Sequence, residues 1–271
     1  PNEPVTAPRG AVKITETILT IATYGYQDAL QPTAPDDPIY PYPRLDQDKV
    51  TQPVPQTYAA VVLENDYVAV TILPELGGRI YRWVDKATGR SLLYENPVIK
   101  PTGWGYRGWW LAAGGIEFAF PVEEHGLNEW RPWHVSFRQT ASEATVTVSD
   151  VEDQTGLTVG ANITLGADSG AMQISPWVRN DTATSQSFQY WLNAMVTLGG
   201  NTVSGNTQII VPASQVTVHS TGDESLPGEW QPMSWPVFNG RDLSRYGSWS
   251  NYLGFFVPAI TEGFVALYDV E

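Results

Sequence analysis

The sequence lacks cysteine altogether, which excludes disulfides, thiolate-bound metal and a cysteine nucleophile and leaves the redox compartment open. Cations are scarce: 15 Lys and Arg stand against 29 Asp and Glu, a formal net charge of −14. Those few cations form no basic run, and so acidic a surface repels phosphate backbones, so no nucleic-acid partner is expected. No stretch approaches the ~20 apolar residues needed to cross a bilayer, so no membrane span is expected. The opening PNEPVTAPRG has neither the charged start nor the apolar centre of a signal peptide. Its polar, proline-rich character, with the acidic surface, points to an extracytoplasmic or secreted location, the cytoplasm being the alternative. The three histidines, His125, His134 and His219, have no metal-ligand spacing, and no D-x-D-x-D-G loop occurs. No metal and no other cofactor is expected.

Helical periodicity is also missing. With 24 glycines and 21 prolines, no window of a dozen residues repeats its apolar positions every 3.6. What is present is alternation. WHVSFRQ (133–139), EATVTVSDV (143–151), LTVGANITL (157–165) and QVTVH (215–219) place apolar side chains at every second position. YAAVVLENDYVAVTIL (58–73) does the same on either side of Asn65-Asp66, a hairpin turn. The expectation is an all-β chain, built as a sandwich of antiparallel sheets. Residues 32–55 hold Pro32, Pro35, Pro38, Pro41, Pro43, Pro53 and Pro55, which predicts an extended arm rather than a strand, docked through Tyr40 and Tyr42 or leading into the sandwich. Residues 1–55 thus form an N-terminal part, the strand at 11–24 plus the arm, and residues 56–271 the main domain.

Chemistry concentrates in GGIEFAFPVEEHGLNEWRPWHV, residues 114–135. Glu117, Glu123, Glu124, His125, Asn128 and Arg131 stand beside Trp130 and Trp133, in a chain with only 16% charged residues. Rings that stack on C–H faces, together with fixed donors and acceptors, are what a sugar requires. A second aromatic segment, GWGYRGWW (103–110), offers Trp109 and Trp110 as stacking platforms or as an aromatic plug, with Arg107 able to reach a carboxylate; GEWQPMSWP (228–236) resembles it. Glycoside cleavage needs two carboxyls, ~5 Å apart for retention or ~6.5–9.5 Å for inversion. Glu117 with Glu123 or Glu124 would supply such a pair, burial raising one of them to serve as acid; equally, Glu123 and Glu124 are ordinary loop charges and Glu117 a salt-bridge partner. His134 and His219, on alternating strands, are expected to be structural.

In order, YVAVTILPELGGRIYRWVDKATGRSLLYENP (67–97), GGIEFAFP (114–121) and EHGLNEWRPWHV (124–135) resemble the galactose mutarotase-like superfamily, which includes the aldose 1-epimerases. They are most similar to uncharacterised domains with a Gly-Gly-Ile-Glu-Phe signature, often found ahead of tetratricopeptide repeats. The resemblance implies an antiparallel β-supersandwich binding saccharide across a concave face. It implies sugar contacts from Arg79 and His125, and gives Glu117 as the acidic residue of the signature. Where epimerases carry their acid histidine, SFQYWLNAMVTL (187–198) offers Trp191 and Asn193 instead, and the strand for the epimerase base would follow residue 271. Glycoside cleavage or transfer is therefore expected over anomer exchange if the domain is catalytic. The expected cleft gathers Arg79, Glu117, His125, Trp109, Trp110 and Trp191, with Asn193 and Arg131 as further contacts and Glu117 and His125 as the catalytic candidates. The alternative is a non-catalytic assembly subunit that meets a protein partner through the arm or an open sheet edge.

Overall fold

The computed structural model describes residues 10–122, 124–258 and 262–269, and the counts below concern those residues. By internal contacts the chain divides into two compact units, Pro1–Gly199 and Gly200–Glu271. Apart from 3₁₀ turns of three residues, its regular elements are all strands.

In the first unit these are β1 (Lys13–Gly25), the short β2 (Leu30–Gln31) and β3 (Arg44–Leu45), β4 (Thr51–Glu64), β5 (Val68–Leu73), β6 (Arg79–Asp85), the short β7 (Arg90–Ser91), β8 (Glu95–Thr102), β9 (Trp110–Gly114), β10 (Ile116–Ala119), β11 (His134–Gln139), β12 (Glu143–Val151), β13 (Thr158–Gly166), β14 (Met172–Arg179) and β15 (Trp191–Ala194). Nine of them form one sheet in the order β15-β10-β6-β5-β4-β1-β8-β9, with β7 on β6. Strands β9 and β10 stand near opposite ends of that order, yet Gly115 alone separates them in sequence. The sheet must therefore curl until its ends meet. Hydrogen bonds from Gly115 N–H to the Tyr94 carbonyl (2.8 Å) and from Met195 N–H to the Gly115 carbonyl (2.9 Å) close the seam. Gly115 has φ +73°, and a Cβ there would lie 2.2 Å from the Ile80 carbonyl oxygen, so the seam requires glycine.

The sheet β11-β12-β13-β14 packs on one face of the large sheet. Its period-two pattern does this directly: Val146 and Val148 of β12, with Val159, Ala161 and Ile163 of β13, are buried in one cluster with Leu63, Val70, Ile72 and Ile80. Each Val, Leu or Ile side chain among these contributes ~1.5–3 kcal/mol. The hairpin turn is where expected: Asn65 Oδ1 accepts from the Tyr67 and Val68 amides (2.8 and 2.9 Å), while its Nδ2 donates to the Gly166 and Ser169 carbonyls (2.7 Å each). A second cluster gathers Tyr58, Tyr81 and Leu111 of the same large-sheet strands with Tyr26, Leu76 and Trp109 from the adjoining turns.

The strand at 11–24 joins the large sheet, with β1 running antiparallel to β4 from Lys13↔Glu64 to Gly25↔Thr51. The proline-rich arm is shorter than expected, because Pro53 and Pro55 lie inside β4. Strand β5 pairs with β4 only from Val61 onward, so the prolines face an open edge where a missing N–H breaks no ladder bond. What remains of the arm lies on the first unit. Tyr42 is buried and its hydroxyl donates to the buried Glu152 carboxylate, whereas Tyr40 is exposed. Asp37 and Arg44 pair within the arm at 2.7 Å.

The second unit contains β16 (Thr207–Ile210), β17 (Gln215–Thr221), β18 (Pro232–Ser234), β19 (Val237–Phe238), β20 (Arg241–Asp242), β21 (Leu253–Phe256) and β22 (Ala266–Asp269). Its core contains Val216, Val218, Met233, Trp235 and Leu243, and Asp223 ties Arg241 (2.7 Å) and Ser250 (2.6 Å) beside it. Among the described residues, no helix is long and apolar enough to cross a membrane.

Candidate functional site

Three adjacent strands place the central groups. The register Ile116↔Ile80 of the antiparallel pair β10–β6 sets Arg79 opposite Glu117, and β10–β15 sets Glu117 opposite Asn193. Ile80 and Phe118 alternate into the core between the sheets, so Arg79 and Glu117 point to the other face. The chain reaches Arg79 through a 3₁₀ turn, Pro74–Leu76, and two left-handed glycines. Gly77 has φ +68°, and a Cβ there would sit 2.6 Å from the Glu129 Cα, so this turn must be tight and bare.

Arg79 and Glu117 are each 1% exposed. The guanidinium donates to the Gly114 carbonyl at 2.8 Å, beside the seam, and approaches Glu117 Oε2 at 3.4 Å. Oε2 also meets His125 Nδ1 at 3.2 Å, and Oε1 accepts the Gly126 amide at 2.8 Å. Burial is the strongest influence on Glu117 and pushes its pKa up. The His125 hydrogen bond, the Arg79 charge and the Gly126 amide together outweigh it and hold the carboxyl below its ordinary range. Glu117 is thus a buried carboxylate, paired with Arg79, that reaches the surface through His125. An ionised Glu117 accepts a hydrogen bond from Nδ1–H, which fixes the tautomer with Nε2 as the unprotonated nitrogen of the neutral ring.

His125 is 18% exposed. Its ring stacks on Trp110, with centroids 3.8 Å apart and planes 5° from parallel. Next to it Glu124, at φ +67°, accepts Trp104 Nε1–H at 2.9 Å through Oε2, and its backbone carbonyl accepts from Asn193 Nδ2. Trp104, Gly105, Tyr106 and Glu124 line a hollow of about 430 Å³. Glu123 lies outside the described residues. Arg79, Glu117, His125, Trp110 and Asn193 therefore come together, while Trp104, Tyr106 and Glu124 extend the cluster outward.

Other expected contacts lie elsewhere. Trp109 is 2% exposed, packs against Tyr26 and Trp130, and donates Nε1–H to the Pro43 carbonyl at 3.0 Å. It is a core residue, because it shares the inward parity of Leu111 and Ala113 on β9. Trp191 occupies the Glu117 side of β15 but its Nε1–H is directed to Gln189 Oε1 at 2.9 Å. Arg131 is held by Asp150 and Asp153, at 2.6 Å each. His134 is exposed on β11. Among the described residues no group of three His, Asp or Glu could hold a metal ion.

The sequence reading passed over Glu129. This carboxyl, 1% exposed, pairs with the wholly buried Arg107 at 2.5 Å and accepts the Leu111 amide at 3.0 Å. Arg107 also donates to the Trp109 (3.0 Å) and Leu127 carbonyls and lies over the Trp109 ring at 3.7 Å. The pair joins the Trp104–Trp110 segment to the His125–Trp130 loop. Burial chiefly, with the nearby Glu117 charge, pushes Glu129 upward against the opposing pull of Arg107.

The chain is similar to solved structures, among them the following two. A TPR-domain containing protein from Parabacteroides distasonis matches over 85% of this chain and 38% of its own, with 25% identity and a TM-score of 0.71. A galactose mutarotase-like protein from Clostridium acetobutylicum matches over 68% of this chain and 63% of its own, with 11% identity and a TM-score of 0.46. The chain thus spans less than two thirds of either protein. A family model described as "Domain of unknown function (DUF5107)" matches residues 35–267, and the chain belongs to that family.

Proposed function

We propose that the first unit recognises a saccharide at the cluster around His125. The observation that carries this reading is the presentation of one imidazole: stacked on Trp110, fixed from beneath by Glu117, and next in sequence to the Glu124 that holds Trp104 over an open hollow. Exposed indole and phenol faces suit C–H surfaces, and the carboxylate and imidazole suit hydroxyls. The buried cations Arg79 and Arg107 are spent on Glu117 and Glu129, so they organise the site instead of meeting ligand.

Recognition fits this geometry better than bond cleavage. A glycosidase needs two carboxyls facing the ligand, and Glu117 is sealed. If the domain cleaves or transfers glycosides, His125 is the group that exchanges the proton, with Glu117 positioning it. The test is calorimetric titration with a panel of neutral oligosaccharides against wild type, Trp104→Ala and His125→Ala. Saturable binding that both variants weaken at least tenfold is expected. Absence of binding across the panel, or binding indifferent to both changes, would overturn the reading.

A further inference from the structure

Trp230, in the second unit, lies in a backbone conformation that side chains rarely adopt, φ +63°, and is nevertheless 65% exposed. Left-handed backbone is strained for a non-glycine residue, and an exposed indole returns little burial in compensation. The ring is nonetheless fixed. It stacks on Phe256 of β21, with centroids 5.6 Å apart and planes 13° from parallel. His219 of β17 stands edge-on to both rings, 6.2 Å from Trp230 and 5.0 Å from Phe256, and its Nδ1 lies 3.1 Å from Ser220 Oγ. The loop is closed by backbone bonds: Trp230 N–H to the Val218 carbonyl at 2.8 Å, and Val218 N–H to the Gln231 carbonyl at 3.0 Å. The partner tryptophan of the same segment, Trp235, is 5% exposed and packs in the core, so the two tryptophans have opposite roles.

We infer that Trp230 is a stacking platform for a saccharide ring, a second binding site carried by the second unit. One indole face rests on Phe256 and the other is left for ligand. Its Nε1–H is a hydrogen-bond donor at the platform's edge. Glu229 and Gln231, its neighbours in sequence, are both exposed and polar. A protein-docking hot spot is a buried anchor inside a ring of excluding contacts. A single fixed aromatic pair flanked by a carboxylate and an amide instead matches a small ligand with an apolar face and a hydroxyl rim. The inference stands on unit-two residues and does not require the His125 site to bind.

The test uses the full chain with ¹⁵N-labelled tryptophan, its Trp230 and Trp104 indole N–H signals assigned through Trp230→Phe and Trp104→Phe. Cellohexaose, maltohexaose and chitohexaose are titrated to millimolar concentration. The Trp230 signal should shift saturably with at least one of them, and Trp230→Gly should lose that binding at least tenfold. Because glycine relieves the left-handed strain, Trp230→Gly should keep its unfolding midpoint within a few degrees of wild type, an outcome that a purely structural tryptophan would not allow. A Trp230 signal unmoved by all three sugars overturns the inference, as does a Trp230→Gly variant that binds normally. Movement of the Trp104 signal alone leaves the His125 reading standing and removes this one; movement of Trp230 alone does the reverse.

Discussion

His125 lies face to face with Trp110, ring centroids 3.8 Å apart. With its Nδ1 turned to Glu117, the imidazole is constrained in both tilt and spin. Replacing Trp110 by alanine should cost about 1–2 kcal/mol, the value of one aromatic stack with part of its burial. The same change should weaken saccharide affinity about tenfold, or about 1.4 kcal/mol. Urea unfolding and calorimetric titration measure the two effects. A fall in stability with undiminished affinity would place the ligand away from His125.

Glu117→Gln leaves the Arg79 charge buried without its counter-charge and should destabilise the fold by about 3–5 kcal/mol. The effect has a pH signature. Because the folded-state pKa of Glu117 is depressed, the unfolded chain takes up the proton first as pH falls. The stabilisation is therefore complete above the ordinary glutamate pKa of ~4.3 and disappears as pH falls through the lower folded value. Denaturant titrations across this range should show the gap between wild type and Glu117→Gln closing on acidification. A gap that opens instead would mean that the carboxyl is raised.

Gly115→Ala should be among the costliest alanine substitutions in the chain. The left-handed backbone alone costs about 1–2 kcal/mol for a side-chain residue, and the added Cβ meets the Ile80 carbonyl at 2.2 Å. A loss of at least about 2 kcal/mol in chemical denaturation is expected. A variant as stable as wild type would show that the seam can shift.

Tyr42→Phe tests the docking of the arm. It removes the hydroxyl that meets the buried Glu152, which keeps bonds from Gln154 and Thr155. The expected cost is about 1–2 kcal/mol, with faster proteolytic cleavage within residues 32–50 than in wild type. Unchanged cleavage would mean that the remaining contacts of the arm, Trp109 to Pro43 and Tyr106 to Pro38, suffice.

Alternation announced β12 and β13, whose inner side chains are buried against the large sheet. EATVTVSDV coincides with β12, and Asn65 turns the chain where its side chain can satisfy two amides. The Gly-Gly-Arg turn and the Gly-Gly-Ile-Glu-Phe segment were legible through the family resemblance, and the structure supplies the reason: at Gly77, Gly114 and Gly115 a Cβ would meet backbone. The failures were tertiary. Trp109 and Trp110 are adjacent and chemically identical, and only the parity of β9 decides which is core and which meets His125. Glu129 and Arg107 find each other across 22 positions that include β9 and β10, which no local pattern announces. Pro53 and Pro55 spoke against a strand because nothing local indicates which side of β4 is open. The unit that begins at Gly200 had little more than the Gly199-Gly200 pair to mark it.

A sheet whose first-formed hairpins lie far from its closing strands sets an order of events. β4–β5 and β5–β6 are local hairpins, whereas the join at Gly115 must wait for β1 and β8 to be seated on one side and for β15, some 75 residues further on, to cover β10 on the other. Loop-closure entropy makes such distant pairings late. Glu117 gains Arg79 and His125 beside that junction, so affinity for the proposed saccharide should report complete closure. A chain that has folded everything but its last step would look native by strand content and bind nothing.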